Sequence, residues 1–94
     1  MARGGKGKGP GAWQSSAAYR VVLKQVVEAR KAAGMTQRDV AKVLNKPPSW
    51  IARIESKERR MDLIEFVAIA RALGLKEVEL FREIAAALPR RVDI

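Results

Sequence analysis

The sequence predicts an all-α domain of five helices. Three observations carry that prediction. Apolar residues recur at three- and four-residue spacing in each candidate element, and no segment alternates apolar and polar residues as a half-buried strand would. Gly34, Asn45 and Gly74 each follow such a segment, where helices end in a left-handed residue. Pro48 and Pro89 stand where proline opens a helix or stops one. At 94 residues the chain has room for one modest core.

Residues 1–14, MARGGKGKGPGAWQ, are glycine-rich, basic and aperiodic, which predicts a flexible tail. Trp13 is placed where order begins, against the first helix. Two uses of the tail stand open: a solubilising extension, or an arm that follows a phosphate backbone or enters a minor groove. The domain proper spans 15–94. Ser15 or Ser16 caps a first helix running to about Ala33, with Val22, Val26, Ala29 and Ala33 on its buried face and Tyr19 and Leu23 beside them. Gly34 closes it.

Thr36 is a good N-cap, and Asp39 three residues on makes a short variant of the capping box. Val40, Ala41 and Leu44 form the buried face of this second helix. It breaks at Asn45-Lys46-Pro47, where Lys46, preceding proline, is pushed out of the helical region. Pro48 then suits the first turn of a third helix, because its missing N–H would be unpaired there anyway. Ile51 and Ile54 give that helix its buried stripe and leave Ser49, Trp50 and Arg53 to point elsewhere. Residues 56–61, SKERRM, form a charged loop. Asp62 caps a fourth helix through Leu73, whose run of Leu63, Ile64, Phe66, Val67, Ile69, Ala70 and Leu73 predicts the central core element. The last helix, about 77–88, carries more apolar residues than one face needs. Val78, Phe81, Ala85 and Leu88 are therefore expected at a homodimer seam.

Two helices joined by a turn this tight make a helix-turn-helix, and the second helix of such a unit can enter a DNA major groove. An ordinary helical corner in an all-α domain would show the same spacing. Charge favours the first reading. The net charge is +9, and residues 1–19 carry Arg3, Lys6 and Lys8 with no acid. Residues 20–60 hold eleven bases and four acids, whereas 61–94 hold five bases and six acids. Positive charge concentrated on the front of the chain suits a polyanion. Membrane is disfavoured as that polyanion, because no helix joins a basic face to a large aromatic one. No apolar run approaches membrane-span length, and the N-terminus lacks a signal-peptide core. With no cysteine and no histidine, disulfides, thiol chemistry, the usual zinc sites and histidine acid–base catalysis are excluded. No cofactor, metal or enzymatic activity is expected, and the absence of cysteine fits a reducing cytoplasm.

Thr36-Gln37, the turn, Ile51, Glu55 and the closing RALG (71–74) together resemble the Cro/lambda-repressor-type, or XRE-type, helix-turn-helix regulators of bacteria and phage. Residues 23–75 fit the five-helix pattern of that family without a gap, and the last helix fits its fifth position. The K-P-x-S turn and the E-R-R-M-D-L-I-E-F run after the third helix are similar to one branch of it. The resemblance implies a lambda-repressor-like DNA-binding domain acting on double-stranded DNA as a dimer, more often a repressor than an activator, in the cytoplasm at the nucleoid. It implies base contacts from Pro48, Ser49 and Arg53, and backbone contacts from Thr36, Gln37, Ser56, Arg59 and Arg60. Gln37 is expected to clamp a phosphate with its side chain and backbone N–H. It also implies a buried ion pair between Arg30 and Glu55, linking the first helix to the third.

Two departures bear on recognition. The position often filled by Gln in this family is Pro48, so a bidentate adenine contact is lost. The turn residue often written Gly is Asn45, which tolerates the same backbone. Arg53, one turn past Ser49 and away from Ile51 and Ile54, suits guanine O6/N7 if it reads a base. Trp50 either packs partly on the second helix or lies against sugar or a thymine methyl. A second class of function is an adaptor that acts mainly through a protein partner, a toxin or the transcription machinery.

Overall fold

The computed structural model describes residues 12–94; Arg3, Lys6 and Lys8, and the reading of the tail as an arm, lie outside the described residues. Five α-helices follow in order: α1 (Ala17–Ala32), α2 (Gln37–Val43), α3 (Pro48–Glu55), α4 (Leu63–Ala72) and α5 (Glu77–Ala87). A 3-10 turn, Ala12–Ser15, precedes α1. The edge of Trp13 meets the Tyr19 ring at a centroid distance of 5.1 Å and 82°.

Local chemistry sets the helix starts. Of the two candidate serines, Ser16 caps α1: its hydroxyl accepts the Tyr19 N–H at 3.1 Å. Thr36 and Asp39 complete the capping box of α2, each side chain accepting the other's backbone N–H at 3.0 and 2.9 Å. Asp62 and Glu65 repeat the device on α4 at 2.7 and 2.9 Å. The Asp62 cap was expected from sequence, whereas its reciprocal partner Glu65 was not.

The helix ends share one solution. Gly34, Asn45, Lys57 and Gly74 are left-handed, with φ of 72°, 57°, 66° and 78°. Each lets the next residue reach back five positions. Lys46 N–H donates to Ala41 O at 2.8 Å, and Glu58 N–H to Arg53 O at 2.9 Å. Asn45 is therefore the turn residue the sequence predicts. Lys57 is not predictable from its type, because a lysine pays the steric cost of that conformation without a local compensation.

The core lies where α1, α3 and α4 meet α2 and α5. Val40, Ala41, Ile51, Ile54 and Ala70 are fully buried, and Val26 and Ile69 nearly so. The buried stripe of α1 runs through Tyr19, Leu23, Val26 and Arg30, rotated from the expected one: Val22 and Ala29 are half-buried and Ala33 is exposed. Arg30 takes a core position that apolar periodicity cannot report. In α4 the central role falls to Phe66, Ile69, Ala70 and Leu73. Leu63 and Ile64, expected in the core, are 71% and 74% exposed. They occupy the first turn of α4, and Leu63 lines a surface groove with Phe66 and Phe81 rather than filling the interior.

The C-terminal segment returns to the start of α1. Asp93 Oδ1 accepts the Ala18 N–H at 3.1 Å and Oδ2 the Ala17 N–H at 3.2 Å, while the Ser16 hydroxyl donates to the Asp93 carbonyl at 2.9 Å. These N–H groups have no partner inside the helix, and a carboxylate there also meets the positive end of the helix dipole. The hydrogen bond from the Ala18 amide, foremost, holds the Asp93 carboxyl below the usual aspartate range. A carboxyl depressed in the folded state stabilises the fold above its unfolded pKa and loses that contribution as pH falls through the folded value. Asp93→Ala is thus expected to lower the melting temperature at neutral pH, with the difference from wild type shrinking below about pH 4. Thermal melts followed by circular dichroism at pH 7 and pH 2.5 check this. A constant difference at both would remove the carboxylate from the account.

Candidate nucleic-acid interface

Two buried isoleucines fix which side of α3 is free. Ile51 and Ile54 face the core, so Pro48, Ser49 and Arg53 are left exposed on the outer face, as their spacing requires. Pro47 precedes the helix with no side-chain cap, and Pro48 takes its first position without losing a helical hydrogen bond. Trp50 lies between the two faces. It is half-buried and packs against the core, with Lys46 Nζ 5.7 Å and Arg59 Cζ 6.0 Å from its ring centroid.

The orientation of α3 is set from behind by a buried polar network. Arg30 Nε and Nη2 donate to the two Glu55 carboxylate oxygens at 2.7 and 2.9 Å, a bidentate pair with side chains 11% and 9% exposed. Arg30 Nη1 donates to the Met35 carbonyl at 2.9 Å. Gln37 Nε2 then donates to Glu55 Oε1 at 2.8 Å. One carboxylate therefore ties α1, the start of α2 and the end of α3 together. The ion pair was expected; the recruitment of Gln37 to it was not. Gln37 keeps one amide proton that meets no acceptor among the described residues.

The loop after α3 is more engaged than its charge suggests. The Ser56 hydroxyl turns back onto the Arg53 carbonyl at 3.2 Å and Glu58 at 3.1 Å. Arg59 pairs with Glu65 of α4. That partner, foremost, with the Asp62 N–H and nearby Lys46, holds the Glu65 carboxyl below the usual glutamate range. The Arg60 guanidinium stands 5.8 Å from both the Trp13 and Tyr19 ring centroids. Gln14 donates to the Lys57 carbonyl, and the Met61 N–H donates to the Tyr19 hydroxyl at 3.2 Å. Thr36 serves its capping box on the exposed edge beside Gln37. Exposed Pro48, Ser49 and Arg53 form the outer face of α3, with half-buried Gln37 and the cations of Lys46 and Arg59 beside it, whereas Arg60 turns to the Trp13–Tyr19 side and lines a groove with Phe81. Lys46 and Glu65 are the members that sequence reading missed. The D-x-x-E spacing could have signalled Glu65, whereas nothing short of tertiary structure signals Lys46.

The helix-turn-helix family model matches residues 26–80. This chain belongs to the XRE-type helix-turn-helix family. Members of that family are DNA-binding transcription regulators. An XRE-family-like protein from Pseudomonas syringae pv. tomato str. DC3000 superposes with a TM-score of 0.72 at 38% identity, over 78% of this chain and 89% of that one. The clp gene regulator ClgR from C. glutamicum shares the fold, with a TM-score of 0.66 at 16% identity over 79% of this chain and 96% of its own. No curated protein matches the chain. As an XRE-type domain it is all-α and lambda-repressor-like. Among the described residues no helix is long and apolar enough to cross a membrane, and no group of acidic side chains is placed to hold a metal.

Proposed function

We propose that this XRE-type domain is a sequence-specific regulator of transcription, most simply a repressor, that binds double-stranded DNA as a homodimer. In this reading α3 enters the major groove. The observation that carries it is the outer face of α3: Pro48, Ser49 and Arg53 stand exposed on a helix whose other face is locked by Ile51, Ile54 and the Glu55 network. A helix so fixed presents its side chains to a groove without an ordering cost to its backbone at binding. Arg53 is the one outward side chain on that face that can make two donated hydrogen bonds to a guanine edge. Gln37, Thr36, Ser56 and Arg59 border it and, with Arg60 farther along the loop, are assigned to the phosphate backbone, which fixes register and supplies affinity. Two domains paired through α5 would place two such helices on successive half-sites. Among the α5 residues expected at that seam, Val78, Phe81 and Ala85 are exposed, while Leu88 is half-buried against the core.

Binding sites selected from a random DNA pool, followed by salt titrations on the selected and a scrambled duplex, test the reading. Wild type should prefer the selected duplex, with affinity falling steeply as salt rises. Arg53→Ala should cost about 1–3 kcal/mol on the selected duplex and little on the scrambled one. Arg60→Ala should weaken both alike and flatten the log–log salt slope by about 0.9. Equal losses on both duplexes for Arg53→Ala, with a shallower slope, would make Arg53 a phosphate contact. Enrichment of no sequence at all, with a toxin or polymerase subunit retained instead, would favour an adaptor.

A further inference from the structure

Four side chains from four consecutive elements meet beside the amino end of α3. Lys46 comes from the turn, Trp50 from α3, Arg59 from the loop and Glu65 from α4. Both cations lie within cation–π range of one indole ring, at 5.7 and 6.0 Å. Like charges gathered at a single ring repel one another, and the one carboxylate among the four is already committed. Glu65 pairs with Arg59 and also accepts the Asp62 N–H. Lys46 makes no ion pair among the described residues. Arg59 Nη1 is buried yet donates to nothing. The cluster thus carries one more positive charge than its acid balances and at least one unused guanidinium donor. Trp50 is itself packed against the core, so the ring is a fixed platform rather than a mobile one.

We propose that Lys46 and Arg59, gathered over the Trp50 indole, clamp the phosphate backbone of bound duplex DNA beside the amino end of α3, and that Glu65 holds Arg59 until the phosphate replaces it. The proposal rests on the DNA-binding reading above. To the contacts expected from sequence it adds Lys46 as a phosphate ligand, Trp50 as the positioning platform and Glu65 as an internal competitor. A phosphate offers Arg59 the same bidentate geometry as a carboxylate. Exchange therefore costs Arg59 one ion pair and returns another, and leaves Glu65 with its N–H partner on Asp62. The Glu65 carboxylate accordingly tempers affinity on every sequence alike. It sets how strongly the protein holds DNA, while Arg53 sets which DNA it holds.

Glu65→Gln tests the competitor cleanly, because an amide oxygen can still accept the Asp62 N–H and keep the start of α4 capped. The variant should melt near the wild-type temperature. It should bind selected and scrambled duplexes more tightly by up to about fivefold, the equivalent of freeing Arg59 from a partly exposed ion pair. That gain should vanish in an Arg59→Ala background. Lys46→Ala should weaken both duplexes and flatten the log–log salt slope by about 0.9, so that between 50 and 200 mM salt it loses about threefold less affinity than wild type. Trp50→Leu keeps every charge and should weaken both duplexes with little change in slope. Glu65→Gln binding no tighter than wild type, or tighter even without Arg59, would overturn the exchange. An unchanged slope in Lys46→Ala would overturn the clamp. A wild-type protein that binds neither duplex would instead overturn the DNA-binding reading itself.

Discussion

Glu55→Ala should be among the most destabilising single changes at the polar residues, by about 3–5 kcal/mol. The carboxylate accepts three hydrogen bonds, two from Arg30 and one from Gln37, with both members of the ion pair about one-tenth exposed. Its removal leaves the Arg30 guanidinium at a core position of α1 with only the Met35 carbonyl as a partner. Stranding a desolvated charge costs more than the pair contributes, so the loss exceeds that expected for an exposed bridge. Against a small-domain stability of about 5–15 kcal/mol it should show as a large drop in the denaturation midpoint. Arg30→Ala should cost a comparable amount, since each stranded charge keeps one neutral partner, Glu55 the Gln37 amide and Arg30 the Met35 carbonyl. Arg30→Met with Glu55→Leu should recover much of the stability, because well-packed apolar side chains can replace a buried pair. Urea denaturation of the three variants is the measurement. Midpoints for both single alanine variants within error of wild type would mean that the network is solvated and does not hold α3.

The same network separates what the sequence could reveal from what it could not. Elements whose start and stop are written in adjacent residues were legible: Thr36 with Asp39, Asn45 ahead of Pro47, Asp62, Gly34 and Gly74. The inward pair Ile51 and Ile54 was legible too, and with it the outward set Pro48, Ser49 and Arg53. The buried stripe of α1 was not, because Tyr19, Leu23 and Arg30 define it, and an arginine on an apolar face registers as solvent-facing in any periodicity. The resemblance to a family, not the spacing, singled out its pairing with Glu55. Leu63 and Ile64 misled for the opposite reason. Composition places them inside, whereas their position in the first turn of α4 carries them past the end of the core. Contacts joining distant segments left no local trace at all. Asp93 capping α1, Gln14 on Lys57, and Lys46 with Arg59 over Trp50 each depend on how the helices pack.

Phe81→Glu should lower affinity for a two-half-site operator by about 10²–10⁴-fold, the gain that linking two binding modules supplies. Phe81 is 55% exposed on α5 beside Val78 at 61%, and with Leu63 and Phe66 both line an apolar groove between α4 and α5. An apolar strip of this kind on a small domain invites a partner, and in the homodimer proposed above that partner is a second copy of the chain. In a symmetric dimer the same strip meets itself, so one substitution places two glutamates against each other and against apolar surface. The single domain should be spared, because an exposed side chain leaves the core intact. Circular dichroism should therefore give an unchanged melt at low protein concentration, while sedimentation shows a monomer. Affinity for a duplex carrying one half-site should stay within about twofold of wild type, since the face of α3 is untouched and the new carboxylate, in the groove that Arg60 also lines, is screened by salt. The large loss should appear only when both half-sites are present and correctly spaced, about one helical turn apart. Wild type that sediments as a monomer at micromolar concentration and binds its operator as a monomer would end the dimer reading. Equal losses on one and two half-sites would instead place Phe81 in the fold of the domain.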